Sequence, residues 1–405
     1  MSRWSFARPP QVDLCVPASQ RWPQSLQTPC YVFDPDTVLA RYSALRDSLG
    51  TRLLVSLKAN PNPDLFVRCG HAFDDGLELA SAGELELAVG RGRHEIWLNN
   101  PSFSDDFIRA GIASRCKFVI DSVDMADRLI ALNPANSAVD TLVRINAEAL
   151  LPGRAPSAWI DHFGMTLQEA AYAASHLEAA GLRVAGLHVF VGSHGFRPPP
   201  GGPTSDASGS PADSADLADA LAEFADQLSA AAREPLDCLH LGGGFSATPL
   251  EAAPWRRYRQ RLAPLSKRYR LTHEAGRAVF ADAGAFVTRI TALKYRDDRI
   301  VAVCDGGLSH NFLLAQTESV LKARPRPHLV DMSDACPAAP PDPRPVILVG
   351  NTCHRSDVIG HLPAGSVPPR RDQLAVFERC GAYHATYTVS GFLSQRPPRV
   401  YIRQG

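Results

Sequence analysis

From residue 53 onward the chain alternates two kinds of hydrophobic pattern. Short apolar, β-rich runs occur at 53–57, 76–79, 95–98, 117–120, 141–145, 184–190, 237–241 and 270–273. Between them lie stretches of helical period, at 82–89, 104–110, 122–131, 167–180 and 217–232. Eight strands alternating with helices over roughly 220 residues predict a closed (β/α)8 barrel, with an open doubly wound sheet as the alternative. Residues 30–33 read as a further short strand, and Asp34-Pro35-Asp36 as the start of a helix through Val38, Tyr42 and Leu45. After Ala285 the alternation stops. Runs at 286–294, 299–304, 346–349, 373–377 and 399–402 read as strands without long helices between them. The domains expected are therefore a barrel over 30–285 and a mostly β domain over 286–405, joined by an N-terminal arm over 1–29. Residues 193–216, rich in Gly, Pro, Ser and Asp, read as a long loop over the barrel mouth, and 334–344 as a proline-rich excursion.

Composition narrows the function classes. The 405 residues carry zero formal net charge, with 21% charged and 45% hydrophobic positions. No basic excess points to nucleic acid. No apolar run approaches the length of a membrane span, and residues 1–10 lack the apolar core of a secretory signal. The nine cysteines are scattered without a C-x-x-C pair. That argues against a zinc site or a disulfide framework and fits a reducing cytoplasm.

Barrel enzymes place their chemistry at the C-terminal ends of the strands. Here those ends present Lys58, Glu78, Asn99, Asp121, Arg144 with Asn146, Phe190 to Ser193, Gly242-Gly243-Gly244 and Glu274-Ala275-Gly276-Arg277. Lys58 ends an apolar run, and Asn60, Pro61 and Pro63 prevent a helix from starting there. An amine in such a dry position suits imine formation. The glycine-rich ends of the seventh and eighth strands, with Arg277, suit an anion such as phosphate. A phosphate-bearing aldehyde cofactor needs this combination, and pyridoxal 5'-phosphate meets the description.

These residues fall in motifs that resemble one family. The motifs are Ser56-Leu57-Lys58-Ala59-Asn60, Ala80 to Leu85, His162-Phe163-Gly164-Met165, Gly186-Leu187-His188 to Ser193, Leu241 to Phe245, Glu274 to Arg277, Asp282-Ala283-Gly284, Thr352-Cys353 and Gly381-Ala382-Tyr383. The chain resembles the fold-type III pyridoxal-phosphate decarboxylases, the ornithine, arginine and diaminopimelate decarboxylase group. The resemblance implies an alanine racemase-like TIM-like barrel plus a C-terminal β domain, and a homodimer with shared active sites. It implies Lys58 as the Schiff-base lysine. It gives the phosphate to Ser193, Gly244, Gly276, Arg277 and Tyr383, and sets Glu78, Phe190 and Ala275 beside the cofactor. Cys353 would reach the partner's site as the acid that protonates the quinonoid carbon, together with Asp357. Glu274 would stand at the ring nitrogen, where the related alanine racemases place an arginine. A carboxylate there makes the ring a strong electron sink and favours loss of CO2. A racemase or epimerase on the same scaffold, or a non-catalytic binding relative, are the competing readings.

Three positions depart from the family pattern. Phe190 stands where a ring-stacking histidine is usual, Glu78 where aspartate is, and His162 where Lys or Arg is. His188, two residues before Phe190, is expected to face away from the site as a packed histidine. The departures suggest specialised, siderophore-like biosynthesis by analogy. Where diamine-forming relatives read a distal ammonium with carboxylates, this chain has His354, next to Arg355, and Gln316. The expected substrate therefore carries a neutral or anionic distal group, and free ornithine or lysine should fit poorly.

Overall fold

The computed structural model describes residues 12–14, 22, 26–91, 94–133, 138–152, 162–190, 192, 211–246, 252–321, 325–332 and 339–404. Two compact units emerge: Leu39–Val279, and Met1–Val38 together with Phe280–Gly405.

In the first unit eight parallel strands close into a barrel. They are β1 (Arg52–Ser56), β2 (Leu77–Leu79), β3 (Ile96–Asn99), β4 (Lys117–Ile120), β5 (Asp140–Ile145), β6 (Arg183–Val189), β7 (Cys238–His240) and β8 (Arg270–Ala275). Closure is direct, because β8 pairs with β1 in the register Glu274↔Leu54; the open-sheet alternative is excluded. Leu54, Trp97, Val119, Leu142, Ala185 and Cys238 pack the barrel interior. Serine and threonine caps start the helices after the strands. Ser81, Ser104 and Ser122 each accept from the backbone N–H three residues on, and Thr166 forms a full capping box with Glu169.

Two sequence expectations change here. The helix expected from 217 begins at Pro211 and runs to Ser229. Its apolar face already includes buried Ser214 and Ala215, so the loop reading extended too far. Strand β8 does not stop at His273 but continues to Ala275, which places Glu274 inside a strand.

The second unit is mostly sheet. Its nine strands run in the order Val12–Leu14, Arg399–Arg403, Cys30–Phe33, Gly284–Tyr295, Ile300–Cys304, Val346–Val349 and Val358–Leu362, with Leu374–Phe377 and His328–Val330 on a branch. Leu26, Cys30, Val32, Val287, Leu374, Val376 and Tyr401 form its core. The strands Val12–Leu14, His328–Val330 and Val358–Leu362 are additions to the sequence reading, as is the span of the helix Phe312–Leu321. Among the described residues no helix is long and apolar enough to cross a membrane.

Candidate active site

Lys58 lies in a single 3-10 turn, Leu57–Ala59, directly after β1. The chain cannot curl on into the next helix at once, because Asn62 caps that helix and Pro63 occupies its first position. The lysine amine is held by Glu78, at 2.7 and 3.0 Å from the two carboxylate oxygens. Glu78 is fully buried, whereas the Lys58 side chain is 42% exposed. A carboxylate in so dry a position requires a cation, so the pair fixes the amine at the barrel mouth. Behind it, Glu84 accepts from the Ala80 N–H at 2.7 Å. Burial, aided by Glu78, raises the Glu84 carboxyl to about 7 against the pull of that N–H and of Lys58.

Glu274 points into the barrel from β8 and is almost wholly buried. Its Oε1 lies 3.1 Å from Nε2 of His188, which is fully buried on β6. Burial raises the Glu274 carboxyl, and Lys58 and Arg144 act against that rise. Burial drives the His188 imidazole well below its ordinary range, with Arg144 adding to the shift. His188 is therefore buried as expected but does not face away. Residues two apart on a strand share a face, and β6 ends at Val189, so alternation cannot relate His188 to Phe190. Phe190 itself is half-buried just beyond the strand.

A second buried pair crosses the mouth. Arg144 on β5 meets Asp121 at 3.0 Å and the Asn99 side-chain oxygen at 3.3 Å, and its guanidinium lies 4.4 Å from the centre of the Phe163 ring. Asp121 also accepts from Gly164 N–H, and Asn146 donates to the Phe163 carbonyl. These bonds hold the segment from His162 to Met165, which bridges to Ile145 at the end of β5.

The glycine-rich ends fit close backbone approach. A Cβ on Gly243 would lie 2.7 Å from the Glu274 carbonyl, and one on Gly276 would lie 2.7 Å from the Ala59 Cβ. Gly244 has φ +101°, a region open chiefly to glycine. A strand-end amine, a buried carboxylate and a glycine-lined turn are the parts a phosphate-bearing aldehyde cofactor requires, so the residues present fit pyridoxal phosphate. Arg277 is half-buried and begins the helical turn Arg277–Phe280. Ser193 lies outside the described residues.

The remaining predicted site residues belong to the sheet unit. Cys353 is exposed on a loop that Asp357 shapes. The Asp357 carboxylate is buried; it accepts from Leu308 N–H at 2.7 Å and from the Thr352 N–H and hydroxyl at 3.0 and 2.6 Å. Its oxygens are thus engaged by Thr352 in its own loop and by Leu308, 49 positions away. His354 is exposed; its Nδ1 accepts from Ser356 N–H and its ring lies across Phe392. Gln316 is half-buried on the helix Phe312–Leu321, and Tyr383 holds a φ of +68°. Sequence reading lacked the signal for His188 as a Glu274 partner, since that contact joins strands 86 positions apart; Glu84 lay inside the Ala80 to Leu85 motif, and its contact to Ala80 is local.

The profile of the family described as pyridoxal-dependent decarboxylase, pyridoxal binding domain, matches residues 36–281. The chain belongs to that family. It is a pyridoxal-phosphate-dependent carboxy-lyase acting on an amino-acid substrate. It is 28% identical to the diaminopimelate decarboxylase of Actinosynnema pretiosum subsp. auranticum, covering 93% of this chain and 84% of that one. It is 24% identical to the L-glutamyl-[BtrI acyl-carrier protein] decarboxylase of Niallia circulans, covering 92% and 88%. Its fold matches the lysine/ornithine decarboxylase complexed with cadaverine from Vibrio vulnificus with a TM-score of 0.73 at 22% identity, over 94% and 96% of the two chains.

Proposed function

We propose that this decarboxylase removes CO2 from an amino acid, or an amino-acid conjugate, whose distal end is neutral or anionic. The observation that carries the site assignment is the Lys58 amine fixed by buried Glu78 at the mouth of a barrel that also buries Glu274. Lys58, Glu78, Phe190, Ser193, Gly244, Glu274, Ala275, Gly276, Arg277 and Tyr383 would hold pyridoxal phosphate. When bound, that group supplies an aldehyde for the substrate amine and a ring that takes up the electron pair left by departing CO2. Glu274 would stand at the ring nitrogen and stabilise its proton. Arg277 and the N–H groups of Gly244 and Gly276 would hold the phosphate. Cys353 Sγ would supply the proton to the carbon that loses CO2. Asp357 positions the cysteine by fixing its loop.

The specificity reading rests on His354, Arg355 and Gln316. Three residues without a carboxylate offer a distal ammonium no anionic partner, which disfavours it. His354 and Arg355 suit a carboxylate or another acceptor instead. The named activities of the two curated relatives, on diaminopimelate and on carrier-bound glutamate, both concern substrates other than simple diamine precursors. Measuring CO2 release and kcat/KM across ornithine, lysine, diaminopimelate, glutamate, carrier-bound glutamate and citrate-type conjugates tests this. The expected best substrate is one of the last three. Ornithine or lysine as best substrate sinks the reading.

The assembly proposed is a homodimer with shared sites, in a reducing cytoplasm that suits the free cysteines of the described residues. The pathway class is specialised, siderophore-like biosynthesis, by analogy with the departures at Glu78, His162 and Phe190. Mixing Lys58→Ala with Cys353→Ala subunits should restore about a quarter of wild-type activity, because half of randomly paired dimers are mixed and each mixed dimer has one complete site. No recovery in verified mixed dimers argues against sharing.

A further inference from the structure

The barrel wall formed by β6, β7 and β8 contains four buried side-chain atoms with no partner among the described residues: His188 Nδ1, His240 Nδ1, His240 Nε2 and Thr272 Oγ1. All three residues are fully buried. They are direct register partners, His188 with His240 and His240 with Thr272, so they stand side by side across three neighbouring strands. The two imidazole centres are 6.4 Å apart. One water spans such a gap, since two hydrogen bonds of about 2.8–3.0 Å reach roughly 5–6 Å between heavy atoms. Trp97 packs against His240 at 4.7 Å, but its N–H is already given to Glu95. Buried polar atoms are satisfied by protein or by ordered water, and this wall is polar enough to hold water.

We propose that His188, His240 and Thr272 form a sealed hydration site, and that water bound there anchors the Nδ1 side of His188 and thereby the orientation of Glu274. The second half of this statement rests on Glu274 being the partner of the cofactor's ring nitrogen. An ionised carboxylate can only accept, so with Glu274 ionised the 3.1 Å contact requires the proton on His188 Nε2. Burial opposes a second proton on this ring. Around it, Arg144 and Lys58 oppose that proton too, while Glu78 and Asp121 favour it. Nδ1 is then an acceptor facing the wall, and it requires a donor. Water can donate to Nδ1 and accept in turn from a His240 N–H or the Thr272 hydroxyl. The chain of donors then runs toward Glu274. His188 is in this sense a positioning residue: it acts on the cofactor only through Glu274.

Two readouts on the wild-type protein need no cofactor. A crystal structure at atomic resolution should show ordered water bonded to His188 Nδ1 and to His240 or Thr272. Nitrogen-15 NMR of histidine-labelled protein should place the His188 proton on Nε2. A dry wall, or the proton on Nδ1, overturns the proposal whatever the enzyme's substrate. The double variant His240→Leu/Thr272→Val then removes the polar anchors without touching Glu274. The variant should lose the water on Nδ1 while His188 keeps its Nε2 proton toward Glu274, and pyridoxal-phosphate affinity should fall about tenfold, the scale on which outer partners of a binding group act. Thr272→Ser should keep both the water and the affinity. Loss of the water with unchanged cofactor affinity overturns the link to Glu274. Loss of CO2 release alone, with water and tautomer as expected, bears on the decarboxylase reading and not on the hydration site.

Discussion

Lys58→Ala should lower turnover by at least about 10³-fold, because a group positioned in the site acts at an effective molarity of about 10⁵ M or more. The chain has five lysines, at 58, 117, 267, 294 and 322, and Lys58 alone ends a barrel strand in the motif region. Lys117 begins β4 at the opposite end of the barrel, with its amine 3.3 Å from Glu95 and 3.4 Å from Asp140. Borohydride reduction of the holoenzyme followed by peptide mapping should label Lys58; a label on Lys117 or Lys267 would refute the assignment. Stability provides a second check. The half-exposed lysine leaves no cavity when truncated, but fully buried Glu78 loses the cation that holds it. The single variant should therefore melt earlier than wild type. Glu78→Gln in the same chain should recover the melting temperature and leave turnover low. Recovery of both would mean that Lys58 serves only to neutralise Glu78.

The barrel was legible in the sequence because local and global signals agree. Each strand is a short apolar run, and the helices after β2, β3 and β4 begin at a serine whose side chain caps the third N–H on. The lysine, the glycine-rich turns and Glu274 were legible for a related reason, since each is an unusual residue type at the end of an apolar run. What stayed hidden were the partners. His188 and Glu274 are 86 positions apart and Arg144 and Asn99 are 45 apart, so only barrel closure brings each pair together. A carboxylate inside a strand also reads as the end of that strand, which is why β8 was placed two residues short at Glu274 and Ala275. Asp357 has one partner of this hidden kind and one that is local. Its position after Cys353 suggests chemistry; Thr352, five positions earlier, is a local partner, whereas Leu308, 49 positions away, reaches the carboxylate only through tertiary folding. The sheet unit was the harder half, because strands of three residues such as His328–Val330 carry too little pattern to be read.

Glu274→Ala should lower turnover by about 10²–10³-fold, the usual loss when an electrostatic partner of developing charge is removed. Phe190→Ala should cost only about fivefold, since an aromatic stacking contact contributes on the order of 1 kcal/mol. The structure gives physical grounds for the ranking. Glu274 is buried inside β8 and held by His188, so its charge acts in a medium that screens it weakly. Phe190 is half-buried outside β6, where solvent and neighbouring groups can fill the space it leaves. Glu274→Gln separates charge from shape. The amide keeps the size of the side chain and a contact to His188 but cannot stabilise a proton on the ring nitrogen, so its turnover should lie near that of the alanine variant. Measuring kcat for the three variants at saturating cofactor checks this. Similar losses for Phe190→Ala and Glu274→Ala, or near-normal turnover in Glu274→Gln, would place the electron sink's support elsewhere than Glu274.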